Sequence, residues 1–261
     1  MPVVYDASFL VIAFLLTVRL AVVAALLPLI SGRTVPVLWR LALAAVVAAA
    51  CTPAVVAETP SLPEVLTWQV LAREAFTGAL VGVTLSFAVG IPFAAVRFAG
   101  QLIGVQIGFS MVNTIDPQGG AQVTVLAQLY YLLAVLLFFA FDLHHVLVGV
   151  LVQSARVAPL FGSVDGRAAS WLLVEEFGEF FRLGLILATP TVLVLLLVSA
   201  SMGFVVKTVP QINILVVGFP IQIAVGLAVI GLSLVFFGRV LSGLFLGMEE
   251  QLGRVLAALS V

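Results

Sequence analysis

The sequence predicts an all-α, multi-helix integral membrane protein. Three observations carry that expectation: 63% of the 261 residues are hydrophobic, only 9% are charged, and the charges that exist divide long uncharged runs from one another. A soluble globular domain carries about 25% charged residues. So little charge leaves too few groups to coat a water-facing surface, and so much apolar side chain excludes disorder. Lipid requires every backbone hydrogen bond to close within a segment or around a sealed barrel. The uncharged runs are longer than barrel strands and do not alternate in polarity, so helices are expected.

The elements follow in order. Residues 7–30 are apolar except for Arg19, and a second run covers 41–57 with Arg40 at its edge. Arg19 either snorkels to an interface or pairs with an acidic group. Arg97 poses the same choice. Proline-marked sequence through Pro60 and Pro63 leads to a charged flank of Glu64, Arg73 and Glu74. Residues 75–96 and 98–115 are uncharged on either side of Arg97. Asp116 and Pro117 break that run, and the next uncharged run covers 117–141, with its apolar core after Gln128. Residues 143–152 read as a short apolar piece. The most polar stretch, residues 153–182, is expected to be a connector, with a loop at 162–166 and an amphipathic helix at 170–182. Residues 183–206 form a strong apolar helix, and 31 uncharged residues follow, from 208 to 238. One helix of that length would extend about 46 Å, against a hydrocarbon core of about 30 Å. A break at Pro210 and Pro220 is therefore expected, with the helix starting near Gly218. The tail is an amphipathic helix carrying Glu249, Glu250 and Arg254. This makes about six long helices in a single membrane-associated domain spanning residues 1–261.

Several function classes are excluded. With 11 basic and 12 acidic residues there is no basic excess, so no nucleic-acid partner is expected. The single cysteine, Cys51, forms no internal disulfide and reads as a small apolar filler. Asp142, His144 and His145 do not have the spacing of a metal motif, and neither a metal nor a cofactor is expected. No Walker loop, nucleophile elbow or HExxH motif is present, so the chain is not expected to be an enzyme.

Three features remain. Gly100, Gly104 and Gly108 recur every four residues and place a smooth ridge on one helix face, where another backbone can approach. Ser110, Met111, Val112, Asn113, Thr114, Ile115, Asp116, Pro117, Gln118, Gly119 and Gly120 read as a turn or loop; it either caps the next helix near Gln122 or enters a lumen. Lys207, Pro210, Gln211, Asn213, Gly218, Phe219 and Pro220 form a broken segment inside apolar sequence. It suits a bend or a contact with another subunit.

In this order and spacing, GQLIGVQIGFSMVNTIDPQGG at 100–120, FFAFDLHH at 138–145 and GFVVKTVPQINILVVGFP at 203–220 resemble the FliR family of flagellar export-gate proteins and its type III secretion counterparts. The resemblance covers nearly the whole chain. It departs at Lys207, where many members have arginine. It implies a bacterial inner-membrane subunit of the flagellar basal body, with helical hairpins packed inside a conical export-gate assembly. The implied partners are the P and Q subunits, the B and A subunits, unfolded export substrates and lipid. The implied role for residues 110–122 is a plug that helps close the channel. A small-molecule secondary transporter is the alternative reading of the apolar helices.

Overall fold

In the computed structural model, residues 7–29, 35–56, 67–109, 124–158, 160, 161, 164, 166–209, 211 and 214–259 are described. They form eight α-helices: α1 Ala7–Leu26, α2 Val37–Val56, α3 Trp68–Ile107, α4 Val125–Ala140, α5 Leu143–Val157, α6 Gly166–Thr208, α7 Ile214–Leu246 and α8 Met248–Leu259. Five of these (α1, α2, α3, α6 and α7) are long and apolar enough to cross a membrane. A sixth span results if α4 and α5, interrupted at 141–142, count as one. The chain is an all-helical, multi-span membrane protein.

Two boundaries differ from the sequence reading. Arg97 does not divide α3, which runs unbroken for 40 residues. The guanidinium is exposed and lies 3.8 Å from the centroid of the Tyr131 ring, so its charge is placed over an aromatic face without interrupting the helix. The start of α7 differs too: the helix begins at Ile214, four residues before the expected start near Gly218, and carries Pro220 in its second turn. A proline there removes one backbone hydrogen bond near a helix end, which the remaining turns outweigh. Residues 166–182 of the polar region are the first part of α6, which continues without a break through Pro190.

The described residues fall into two compact units. The first contains residues 1–91, 141–178 and 246–261. Its core pairs α1 and α2. Ile12, Leu15, Leu16, Leu20 and Ala24 repeat at helical spacing and pack with Ala44, Ala48 and Val55. α5 packs on α8, whose buried stripe is Met248, Leu252, Val255, Leu256 and Leu259. Gln251 Nε2 donates to Glu176 Oε1 at 2.8 Å and ties α8 to the start of α6. α1 and α3 approach closely at Gly82, where a Cβ would lie 2.9 Å from the Arg19 carbonyl oxygen.

Arg19 and Glu74 are buried at the centre of this unit, 2% and 3% exposed. Arg19 does not snorkel. Its Nη1 donates to the Ser154 carbonyl at 3.0 Å and to Ser154 Oγ at 3.3 Å, and Nη2 donates to the Ala158 carbonyl at 3.0 Å. These carbonyls lie at the C-terminal end of α5, where the dipole is negative; that of Ser154 also accepts the Ala158 N–H at 3.0 Å, so Arg19 adds a second donor to it. Glu74 interacts electrostatically with Arg19. Its Oε2 accepts the Phe161 N–H at 2.7 Å, and Oε1 accepts from Arg73 Nη2 at 3.1 Å. Phe161 has φ 68°, a left-handed conformation costly for a bulky residue, and the Glu74 bond holds that turn. Two buried charges thus fasten the end of α5 and the turn that follows it to α1 and α3.

The second unit contains residues 92–140 and 179–245. Its core is aromatic: Phe93 meets Tyr131, Phe138 and Phe245 at centroid distances of 5.5–6.2 Å, and Tyr130 meets Phe237 edge-on at 4.9 Å. α6 and α7 form a hairpin joined through residues 209–213. Gln222 Nε2 donates to Ser199 Oγ at 2.8 Å, and the Thr191 and Ser233 hydroxyls lie 3.4 Å apart. Ser199 and Ser233 also donate to the Leu195 and Ile230 carbonyls of their own helices, so a slip of α6 against α7 would cost chiefly the Gln222 amide its partner.

Candidate functional site

The site lies in the second unit, where α3 ends and α4 begins. At Gly100 a Cβ would sit 2.5 Å from the Ala127 Cα and 3.0 Å from its nitrogen. At Gly104 it would sit 2.7–2.8 Å from Oγ1, Cβ and Cγ2 of Thr124. The start of α4 therefore rests directly on the backbone of α3. Only glycine leaves room for that approach.

Thr124, which the sequence reading passed over, organises the contact. Its Oγ1 accepts the Ala127 N–H at 3.2 Å, which caps the first turn of α4. The same hydroxyl donates to the Gly100 carbonyl at 3.4 Å, and the Thr124 N–H donates to Gln101 Oε1 at 3.3 Å. A threonine immediately before an apolar helical run is a recognised start signal; α4 starts at Val125, three residues after the expected start near Gln122.

Gly108 lies one residue past the last turn of α3, with φ +99°. Its N–H bonds to the Val105 carbonyl at 3.1 Å, and the Phe109 N–H bonds to the Gly104 carbonyl at 3.0 Å. This is the paired bonding of a left-handed helix stop. A Cβ at Gly108 would also lie 2.8 Å from the Phe219 ring. Nearby on the same helix pair, a Cβ at Gly226 would lie 2.7 Å from the Ile107 side chain. The first turns of α7 thus close on the end of α3. Gly108→Ala is expected to lower stability by about 1–2 kcal/mol from the left-handed backbone alone, with the ring contact adding to it. A thermal melt of the purified protein in detergent checks this.

The remaining expected site residues are distributed as follows. Residues 110–123 lie outside the described residues, so the expected loop from Ser110 to Gly120 does too, as do Pro210 and Asn213. Lys207 is exposed in the last turn of α6, and Gln211 is exposed in the turn beyond it. Gly218 is buried, Phe219 half-buried and Pro220 exposed. Asp142, with φ 54°, precedes α5, and its carboxylate lies 3.8 Å from His145 Nδ1. Asp142, His144 and His145 offer ligand atoms within 4.8 Å of one another. Ligands sharing a zinc ion sit about 3.3 Å apart, given bonds of about 2.0 Å. Asp142 and His145 are also largely exposed, so the trio reads as a helix start.

Residues 10–248 match the family described as "Bacterial export proteins, family 1". The flagellar biosynthetic protein FliR of Bacillus subtilis (strain 168) is 33% identical over 230 residues, which cover 86% of this chain and 87% of that protein. FliR of Escherichia coli (strain K12) is 32% identical over 85% of this chain and 83% of its own length. FliR of Pectobacterium carotovorum subsp. carotovorum is 36% identical over 69% of each. The chain belongs to the FliR family. FliR proteins are non-enzymatic components of the export gate. As a FliR-family member with five membrane-length helices, this chain is an export-gate membrane protein of the inner membrane at the flagellar basal body. FliR-family membership also implies interaction with other export-gate subunits.

Proposed function

We propose that this subunit helps form and close the channel through which unfolded flagellar substrates are exported, with residues 110–122 as the plug. One observation carries the reading: both ends of the 110–123 segment are pinned to the same two turns of α3. Phe109 leaves through its bond to the Gly104 carbonyl, and Thr124 returns onto Gly100 and Gln101. The residues that flank the segment are therefore held side by side on α3. Gly100 and Gly104 let the start of α4 lie close against that helix. Lys207, Gln211 and Pro220, exposed around the tip of the α6–α7 hairpin, are available to a neighbouring subunit. The P and Q subunits are the proposed neighbours within the gate, with the B and A subunits beside it.

Shortening 110–122 while keeping Phe109 and Thr124 is expected to raise ion leakage through the assembled gate. Conductance unchanged from wild type would count against the plug. Saturable uptake of a small solute by the purified chain alone would favour a secondary transporter instead.

A further inference from the structure

The second unit is short of acidic groups. Its described residues include four basic side chains, Arg97, Arg182, Lys207 and Arg239, and a single acidic one, Glu179. Glu179 accepts from Nε and Nη2 of Arg182, so it is already engaged. Of the three other cations, Lys207 is in the last turn of α6 and Arg239 lies about two turns before the end of α7. Arg97 instead sits along α3, between the uncharged residues 75–96 and 98–107. Residues 98–107 make about 15 Å of helix, too far for its side chain to reach past the helix end.

The Tyr131 ring, 3.8 Å away, is the one partner that the described residues give Arg97. A ring face balances part of the charge but does not take up the N–H groups as a carboxylate does, two at a time. The neighbourhood adds another donor. Gln101, one turn on, spends its Oε1 on the Thr124 N–H, which leaves Nε2 as the unused group. Gln128, exposed on α4 three residues before Tyr131, borders the same patch. Ala94 and Val105, on the face of α3 that carries Arg97 and Gln101, are exposed and apolar, as is Leu132 beside Tyr131.

Acyl chains against this face would leave a cation and two amides without acceptors. A wall facing water would be expected to carry more polar groups and fewer open aliphatic ones. A partner helix that is apolar but offers one carboxylate matches the whole face: side chains pack around the edge, and the guanidinium fork meets a bidentate acceptor. Arginine is enriched at subunit contacts for this reason.

We propose that the open face of α3 around Arg97 is a docking surface for another export-gate subunit, which brings a carboxylate from an apolar helix to the Arg97 guanidinium. The inference is independent of the plug, since it concerns assembly of the gate and not its closure.

Two experiments on the complete gate test it. In the first, which leaves Arg97 in place, a photo-reactive residue replaces Ala94 in living cells and the crosslinked peptides are sequenced. The adduct is expected on an apolar helix of another gate subunit, with an Asp or Glu within two turns of the crosslink. No protein adduct, an adduct to lipid alone, or a partner helix without an acidic residue overturns the proposal. In the second, Arg97→Glu is expected to lower recovery of the co-purified gate at least about tenfold. Changing the crosslinked partner's acidic residue to Arg is expected to restore it. Recovery of the R97E gate at the wild-type level overturns the proposal, and so does a loss that the partner's reversal leaves uncorrected. Restoration by Asp116→Arg in this chain overturns it in favour of an ion pair inside the subunit.

Discussion

Gly100→Leu is expected to remove most of the folded protein from the membrane and abolish swimming motility. The side chain would begin 2.5 Å from the Ala127 Cα, and the obstacle is backbone rather than the tip of a flexible chain. Overpacking a well-filled core costs about 1–3 kcal/mol when neighbours can shift, and more when they cannot. Even Gly100→Ala meets the same contact, because the clash begins at Cβ. Gly253 in α8 supplies the contrast. Nothing lies within 4 Å of a Cβ built there, so Gly253→Ala is expected to be neutral or to stabilise by up to about 1 kcal/mol through helix propensity. Membrane abundance and the melting temperature in detergent measure both. A Gly100→Ala protein that melts with the wild type would contradict the close packing of α3 on α4.

Arg19→Met is expected to destabilise the first unit by about 1.5–3 kcal/mol, from the loss of buried hydrogen bonds made by a charged group. Three hydrogen bonds to Ser154 and Ala158 disappear; the Ser154 carbonyl keeps the Ala158 N–H, whereas the Ala158 carbonyl loses its guanidinium donor at a buried position. Glu74 keeps Arg73 and the Phe161 N–H but loses its buried counter-charge. Lysine has no fork to reach both Ser154 and Ala158, so Arg19→Lys should recover only part of the loss. The double variant R19M/E74Q is expected to be less destabilised than the sum of the single changes, because it leaves no carboxylate without the Arg19 charge. Strict additivity in denaturant or thermal unfolding would show that Arg19 acts on the α5 carbonyls alone.

The helical membrane class was legible in the runs between charges, because an uncharged stretch near 20 residues has few other stable forms in lipid. Element limits were less legible. Arg97 looked like a boundary because a charge within an apolar run is costly, yet the Tyr131 face placed 3.8 Å away comes from a distant helix. Pro220 looked like a break, with the helix starting near Gly218, because proline breaks helices, yet one missing bond in the second turn of a 33-residue helix is a small loss. The four-residue spacing of Gly100 and Gly104 was visible. That Gly108 ends the helix was hidden, since the uncharged sequence runs on past it to Ile115. Thr124 carried a start signal that the apolar pattern after Gln128 overshadowed.

Composition and charge spacing by themselves determined that this chain is a bundle of long helices needing an apolar environment, because backbone hydrogen bonding leaves no alternative there. The motif order placed it beside the FliR family. Only the tertiary structure decided where Arg19 spends its charge, since two partner carbonyls 135 and 139 residues away contribute nothing to local pattern. It alone decided that Gly100 and Gly104 receive the start of α4, because a glycine records the absence of a side chain and not the identity of what fills the space.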